Sequence, residues 1–259
     1  MIINGLENAS ALFLDIDGTL LEFAPSPDQV VVPAELPGLL HRLSDALGGA
    51  LALISGREIA VIDRMFDPLR LPAAGQHGAE WRIETDGRLM SLPPPAGYAT
   101  MLRSLRQLAA RRTDVFLEPK PFSVAVHYHG GGEGLCDQIG ALIEMAGDES
   151  WLLLSARQAF EVKHPGYDKG VAIRRFLEHA PFRGRCPMFL GDDLTDEDGF
   201  SAVLAAGGSV VRVGPDERPS LATARLQSPA VTREWLSHQL SLLRPGAASP
   251  GSLEFKGCD

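Results

Sequence analysis

Ala11-Leu12-Phe13-Leu14-Asp15-Ile16-Asp17-Gly18-Thr19 carries four apolar residues straight into two carboxylates and a turn. Two more runs share this shape. Leu51-Ala52-Leu53-Ile54 ends in Ser55-Gly56-Arg57, and Met188-Phe189-Leu190 ends in Gly191-Asp192-Asp193. Short, continuous apolar runs suit strands covered on both faces, as in a parallel sheet. Helical spacing lies between them: Leu36, Leu39, Leu40, Leu43 and Leu47 after Pro33, and Ile59, Ile62 and Phe66 after Arg57. Alternating strand and helix predicts an α/β fold with a doubly wound, mainly parallel sheet. In such sheets ligands bind beyond the carboxyl ends of the strands. Asp15, Ser55 and Asp192 should therefore converge.

The middle of the chain has another rhythm. Residues 81–92 suggest a hairpin around Asp86-Gly87. Pro93-Pro94-Pro95-Ala96-Gly97 breaks the pattern. A helix over 98–112 and strands over 114–119 and 122–129 follow, then a helix over 134–146 and strands over 151–156 and 159–163. This repeated helix-strand-strand unit predicts a small antiparallel sheet with helices on one face. His164-Pro165-Gly166-Tyr167 leads back. The expected organisation is a discontinuous core, 1–97 with 165–245, and an inserted α+β cap, 98–164. Two adjacent linkers suggest a lid that hinges. The returning core should hold helices over 168–179, 196–206 and 232–243 and a strand over 209–213. The Gly-, Ala-, Ser- and Pro-containing tail, 246–259, is expected to be flexible.

Composition excludes several classes. With 259 residues, 45% hydrophobic and 22% charged, the chain is neither disordered nor a disulfide scaffold. Its net charge of −9 and lack of a basic stripe argue against nucleic acid and anionic membrane as partners. Cys136, Cys186 and Cys258 show no metal-site spacing and fit a reducing compartment. There is no secretory leader pattern at the start and no membrane-length apolar run. A cytoplasmic protein is expected, with monomer the default in the absence of repeats or a coiled coil.

The chemistry-bearing residues each have a plainer account when taken alone. Asp-Gly-Thr often builds a turn or cap. Two acids directly after a buried strand, however, are costly to desolvate without a cation. The segment 192–198 holds five acids in seven residues, Asp192, Asp193, Asp196, Glu197 and Asp198. Thr195 or Asp196 is a candidate cap for the next helix, while Asp192 enters the site. Carboxylates from two strand ends form a hard oxygen pocket that suits Mg²⁺. Ser55 before a helix offers a hydroxyl and N–H groups to an anion, and Lys169 offers a point charge. A lone Ser is more often a cap, and a lone Lys more often faces solvent.

Taken in this order, Asp15-x-Asp17-Gly18-Thr19, Ser55, Lys169 and Gly191-Asp192-Asp193 resemble the haloacid dehalogenase superfamily of phosphohydrolases, over nearly the whole chain. Finer features resemble its trehalose-6-phosphate phosphatase family. They are Ile54-Ser55-Gly56-Arg57, Gly75-Gln76-His77-Gly78-Ala79-Glu80, Glu118-Pro119-Lys120, His127-Tyr128, Glu161-Val162-Lys163 and Gly191 to Glu197. His129 stands where that family commonly has Arg, and His164 where it tends to have Pro.

The resemblance implies Mg²⁺-dependent hydrolysis of trehalose 6-phosphate, the second step of trehalose biosynthesis, through an aspartyl-phosphate. It implies Asp15 as nucleophile and Asp17 as acid and base. It implies Asp15, the Asp17 carbonyl and Asp192 on the metal, with Asp193 or Asp196 positioning metal waters. Thr19, Ser55, Gly56 and Lys169 would hold phosphate. Arg57, His77, Glu118, Lys120, His127, Glu161 and Lys163 would face the sugar. Glu-x-Lys on a strand is otherwise common on a solvated face, and His77 and His127 also suit ordinary strand-end histidines. Another sugar phosphatase, a phosphomutase and a binding protein without turnover are the alternatives. Intact Asp15 and Asp17 argue against the last.

Overall fold

In the computed structural model, described over residues 3, 5–24, 29–120, 122–130, 132, 134–146, 151–156, 159–215 and 218–243, the first apolar run forms β1 (Ser10–Leu14), buried at every position. A strand with no exposed residue needs cover on both faces. Parallel neighbours flank it, β10 (Cys186–Gly191) and β2 (Leu51–Ile54). The sheet runs β12 (Ala224–Leu226), β11 (Ser209–Val213), β10, β1, β2, β3 (Ala73–Gly75), β4 (Glu80–Arg82), β5 (Met90–Ser91). Strands from β12 to β3 are parallel, and β4 and β5 close one edge antiparallel. The chain leaves β1 toward β2 and returns on the other side as β10, so β1 is the topological switch point, beyond which ligands bind.

Alternation along β1 sorts the helices. Leu12 and Leu14 join a core with Leu36, Leu40 and Leu43 of α1 (Leu36–Ala46), Ile59 and Ile62 of α2 (Ile59–Met65), and Leu236 of α7 (Pro229–Leu242). Ala11 and Phe13 face Ile173 and Phe176 of α5 (Lys169–Leu177) and Phe200 and Val203 of α6 (Glu197–Ala205). This is the expected doubly wound α/β architecture. Each fully buried Leu or Phe contributes roughly 1.5–3 kcal/mol relative to exposure. Among the described residues no helix is long and apolar enough to cross a membrane.

A second compact unit spans Leu92–Tyr167, and the chain on either side of it forms the first. In the second unit α3 (Tyr98–Ala109), β6 (Val115–Pro119) and β7 (Ser123–Tyr128) precede α4 (Leu135–Met145), β8 (Leu152–Ala156) and β9 (Ala159–Lys163). Its antiparallel sheet is ordered β6-β7-β9-β8. Met101 and Leu105 of α3 and Leu135 and Ile139 of α4 pack with Val124, Val126 and Val162.

Several local expectations need correction. With Glu80 paired to Ser91 and Trp81 to Met90, residues 83–89 connect β4 to β5. Gly87 does not have the positive φ that the favoured two-residue turn demands at both positions. Pro33 precedes α1, whose first turn holds Pro37. The last helix starts three residues earlier than predicted, at Pro229, because Ser228 accepts the Val231 N–H and Pro229 suits the first helical position. β3 and β12, three residues each, are too short to show a period. The tail over 246–259 lies outside the described residues.

α5 and α6 approach through glycine. A Cβ at Gly199 would lie 2.5 Å from Phe189 Cε1, and one at Gly170 would lie 2.4 Å from the Asp198 carbonyl oxygen. Gly199→Ala is expected to cost about 1–3 kcal/mol through overpacking, measured by urea unfolding.

Candidate active site

The site is assembled from the carboxyl ends of β1, β2 and β10. After Leu14 the chain turns instead of continuing as a strand: the N–H groups of Thr19, Leu20 and Leu21 all point to the Ile16 carbonyl. Gly18 adopts φ +84°, and a Cβ there would fall 2.1 Å from Asp192 Oδ2. Only glycine lets the two strand ends approach so closely. The Thr19 hydroxyl donates to Asp192 Oδ1 at 3.3 Å.

Lys169 starts α5, and Asp168 caps that helix by accepting the Val171 N–H at 2.6 Å. Its buried ammonium donates to Asp15 Oδ1 at 2.7 Å and Asp196 Oδ1 at 2.6 Å. The other Asp196 oxygen accepts the N–H groups of Asp192 and Asp193, at 3.0 and 2.9 Å. Of the two expected caps, Asp196 occupies the N-cap position of α6 but makes no side-chain bond there; its carboxylate instead joins Asp193 in a capping box around the short 3₁₀ turn Leu194–Asp196. Asp193 is half-exposed, 3.8 Å from the Arg218 guanidinium.

Carboxylate oxygens of Asp15, Asp192 and Asp196 lie within 4.8 Å of one another. Burial, with Asp196 and Asp17 adding to it, pushes the Asp15 carboxyl up to about 7 despite Lys169. Burial, then the charges of Asp15 and Asp196, pushes Asp192 up to about 9. Burial also works against the Lys169 charge, but Asp15 and Asp196 together outweigh it and hold the ammonium above the ordinary lysine range. Three clustered carboxyl groups share one ammonium, so their full ionisation would leave negative charge uncompensated. A cation bound by hard oxygen donors fits that deficit.

Asp17 turns to β2. Arg57 grips it with two bonds, Nε to Oδ2 at 2.6 Å and Nη2 to Oδ1 at 2.8 Å. Ser55 Oγ accepts the Arg57 N–H at 3.1 Å, and the Arg57 carbonyl accepts the Gln76 N–H at 2.9 Å. Gln76 and His77 are consecutive left-handed residues, φ 50° and 56°. The buried His77 donates its backbone N–H to the Ser55 carbonyl, and its ring packs where a Cβ on Gly56 would be.

The second unit has a polar sheet face of its own. Register aligns Glu118, Ala125 and Glu161 in one row and Phe116, His127 and Ala159 in the next. Period-two alternation puts these rows opposite the apolar face carrying Val124, Val126 and Val162. His127 Nε2 lies 2.8 Å from Glu118 Oε2, and Phe116 stacks on His127 at 4.6 Å between centroids. The first cause of the lowered Glu118 carboxyl is this His127 bond. Lys120 Nζ stands 3.9 Å from Glu161, which also accepts the Ser123 hydroxyl at 2.7 Å. Lys163 shares the face by register but is 3% exposed, and its ammonium donates to the Tyr167 carbonyl.

Sequence reasoning assigned no role to Arg212 or Glu80. Arg212, in register with Gly191 on β11, donates to the Arg218 carbonyl at 3.0 Å and reaches the Asp192 carbonyl at 3.5 Å. An arginine within an otherwise apolar strand gave no signal of this. Glu80 was visible only within a motif.

A buried aspartate at the switch point, facing a lysine pinned by a second aspartate, is an arrangement suited to phosphoryl chemistry. On this sheet order it agrees with the resemblance of the sequence to the haloacid dehalogenase-type phosphatases. A family model described as trehalose-phosphatase matches residues 13–230, and the chain belongs to that family. It is therefore a phosphoric monoester hydrolase. It is 38% identical over 226 residues to a probable trehalose-phosphate phosphatase of Sinorhizobium fredii, covering 86% of this chain and 84% of that one. It is 40% identical over 210 residues to the trehalose-6-phosphate phosphatase of Escherichia coli, covering 79% and 77%. The C-terminal domain of the C. albicans trehalose-6-phosphate phosphatase superposes with a TM-score of 0.78 at 19% identity, over 92% of this chain and 96% of that one, a likeness of fold.

Lys169→Met leaves Asp15 and Asp196 without their shared cation. The loss expected from breaking a buried pair is about 3–5 kcal/mol, measured by denaturant unfolding at neutral pH without added metal.

Proposed function

We propose that this chain hydrolyses trehalose 6-phosphate to trehalose and inorganic phosphate, with Asp15 as nucleophile and Asp17 as acid and base. The observation that carries this reading is the Asp15 carboxylate: it is buried at the switch point, oriented by Lys169, and two residues from a second carboxylate held by Arg57. Phosphate monoesters are so inert that acceleration up to about 10²¹-fold is required. A carboxylate nucleophile divides the reaction into two easier steps.

In the first, an Asp15 oxygen bonds to phosphorus as the ester P–O bond breaks. The departing sugar oxygen takes the proton of Asp17. In the second, Asp17 removes a proton from water, whose oxygen attacks phosphorus and displaces Asp15. Inorganic phosphate leaves and Asp15 is restored. Lys169 and the Ser55 hydroxyl stand near the transferring oxygens, while Thr19 steadies Asp192. Asp15, Asp192 and the Asp17 carbonyl would hold Mg²⁺, with Asp193 and Asp196 around it. That ion supplies positive charge against the phosphate dianion and the developing transition state.

The proposed organisation is a catalytic core and a sugar-reading cap. Glu118, Lys120, His127 and Glu161 offer the cap's donors and acceptors to sugar hydroxyls. Arg57 and His77 serve from the core. Lys163 shares that face by register, with its ammonium donating to the Tyr167 carbonyl.

The test is phosphate release from a panel of sugar phosphates, with Mg²⁺ and with chelator. Selective release from trehalose 6-phosphate, abolished by chelator and reduced more than about a thousandfold in Asp15→Asn, is expected. Equal release from unrelated sugar phosphates would overturn the substrate assignment and leave the chemistry standing.

Cation uptake should also depend on pH. Without the ion, Asp15 and Asp192 retain protons near neutrality, with carboxyls raised to about 7 and about 9. Binding must expel them, so Mg²⁺ affinity should rise with pH across that interval. Calorimetry near pH 7 in buffers of differing ionisation heat should detect net proton release.

A further inference from the structure

The turn bearing Arg57 is fixed at three points. Its Arg57 N–H is held by Ser55 Oγ and its Arg57 carbonyl by the Gln76 N–H. The third point is the start of α2. Glu58 occupies the N-cap position of that helix but makes no side-chain cap bond. The orphan N–H of Ile59 donates instead to Glu80 Oε1, at 2.5 Å, across 21 residues of sequence. Space for this contact comes from Gly75: a Cβ there would fall 2.7 Å from both Glu80 Oε1 and the Arg57 carbonyl oxygen. Glu80 is half-buried, and burial, assisted by Glu58 and Asp63, raises its carboxyl against the Ile59 bond.

We propose that Glu80 is a positioning residue for the reaction: by capping α2 at Ile59 it sets the turn from which Arg57 grips Asp17 with both nitrogens. The proposal rests on the acid-base role given above to Asp17. A bidentate guanidinium–carboxylate pair is sensitive to direction. A turn whose following helix frays or starts elsewhere presents Arg57 at a different angle. The acceptor oxygen is the essential feature of Glu80, so glutamine should replace it and alanine should not.

The primary test reads the pair itself. In ¹⁵N-labelled protein the Arg57 Nε–H resonance, assigned by its loss in Arg57→Lys, reports the bond to Asp17. Asp17→Asn supplies the signature of the weakened pair. Glu80→Ala should move the Arg57 signal toward that position, and Glu80→Gln should leave it near wild type. An unmoved Arg57 signal in Glu80→Ala would falsify the proposal, whatever the substrate proves to be. Should Glu80→Ala fail to fold, Glu80→Asp, which draws the acceptor back by one methylene, takes its place under the same criterion.

Turnover gives the second reading. Loss of a cap-type bond corresponds to a fall in kcat of about fivefold to tenfold for Glu80→Ala, with rescue by Glu80→Gln. In an Arg57→Lys background the same change should cost less than about twofold, because the pathway is already broken. Thermal stability should fall equally in both backgrounds. Equal losses of kcat in both backgrounds would make Glu80 merely structural and overturn the proposal. Absence of phosphatase activity in the wild type would count against the functional reading, while the resonance would still decide the role of Glu80.

Discussion

Lys169 is buried between Asp15 and Asp196, and the arrangement around it follows from the cost of putting charge there. One ammonium in a low-dielectric interior is unfavourable alone, and so is each carboxylate. Together they are tolerated only with close geometry and with the remaining oxygens satisfied. Asp196 meets that condition by spending its second oxygen on the backbone of 192–193. The loop after β10 is thereby held to the start of α5. That connection, with glycine contacts between α5 and α6, determines where Asp192 stands relative to Asp15.

A different kind of constraint governs the other side of β1. Here the charge pair, Arg57 with Asp17, is partly exposed and bidentate. It depends on backbone, not burial: a turn after β2, two left-handed residues after β3 and a carboxylate from β4. Left-handed conformation at Gln76 and His77 is costly for residues with a Cβ. It persists because the N–H of Gln76 serves the Arg57 carbonyl and that of His77 the Ser55 carbonyl. Asp15 is set by electrostatics and Asp17 by chain geometry.

Much of this was legible in the sequence, for physical reasons that differ by element. β1, β2 and β10 were visible because strands buried on both faces must be continuously apolar, and the polar residues closing them mark the ligand-binding end. Asp15, Ser55, Lys169 and Asp192 came from that logic and from their order. Glu80 and Arg212 were not legible: their importance lies in bonds to backbone groups distant in sequence, which leave no periodicity. Asp193 was legible as one of the acids that follow β10 but not as a capping residue, because capping and site roles use the same side chain. The Lys163 position was legible as a face but not as a depth, since alternation says which side a residue points to and not what lies above it.

The antiparallel sheet of 92–167 keeps its two tasks on opposite faces. Residues that hold α3 and α4 are apolar and point one way, while Phe116, Glu118, His127 and Glu161 point the other. A change among the latter group therefore leaves the hydrophobic packing of that unit almost untouched, and it lies far along the chain from the carboxylates at β1 and β10. Side chains on that face can thus change by single, nearly stability-neutral steps that disturb neither the packing of this unit nor the buried charge cluster around Lys169.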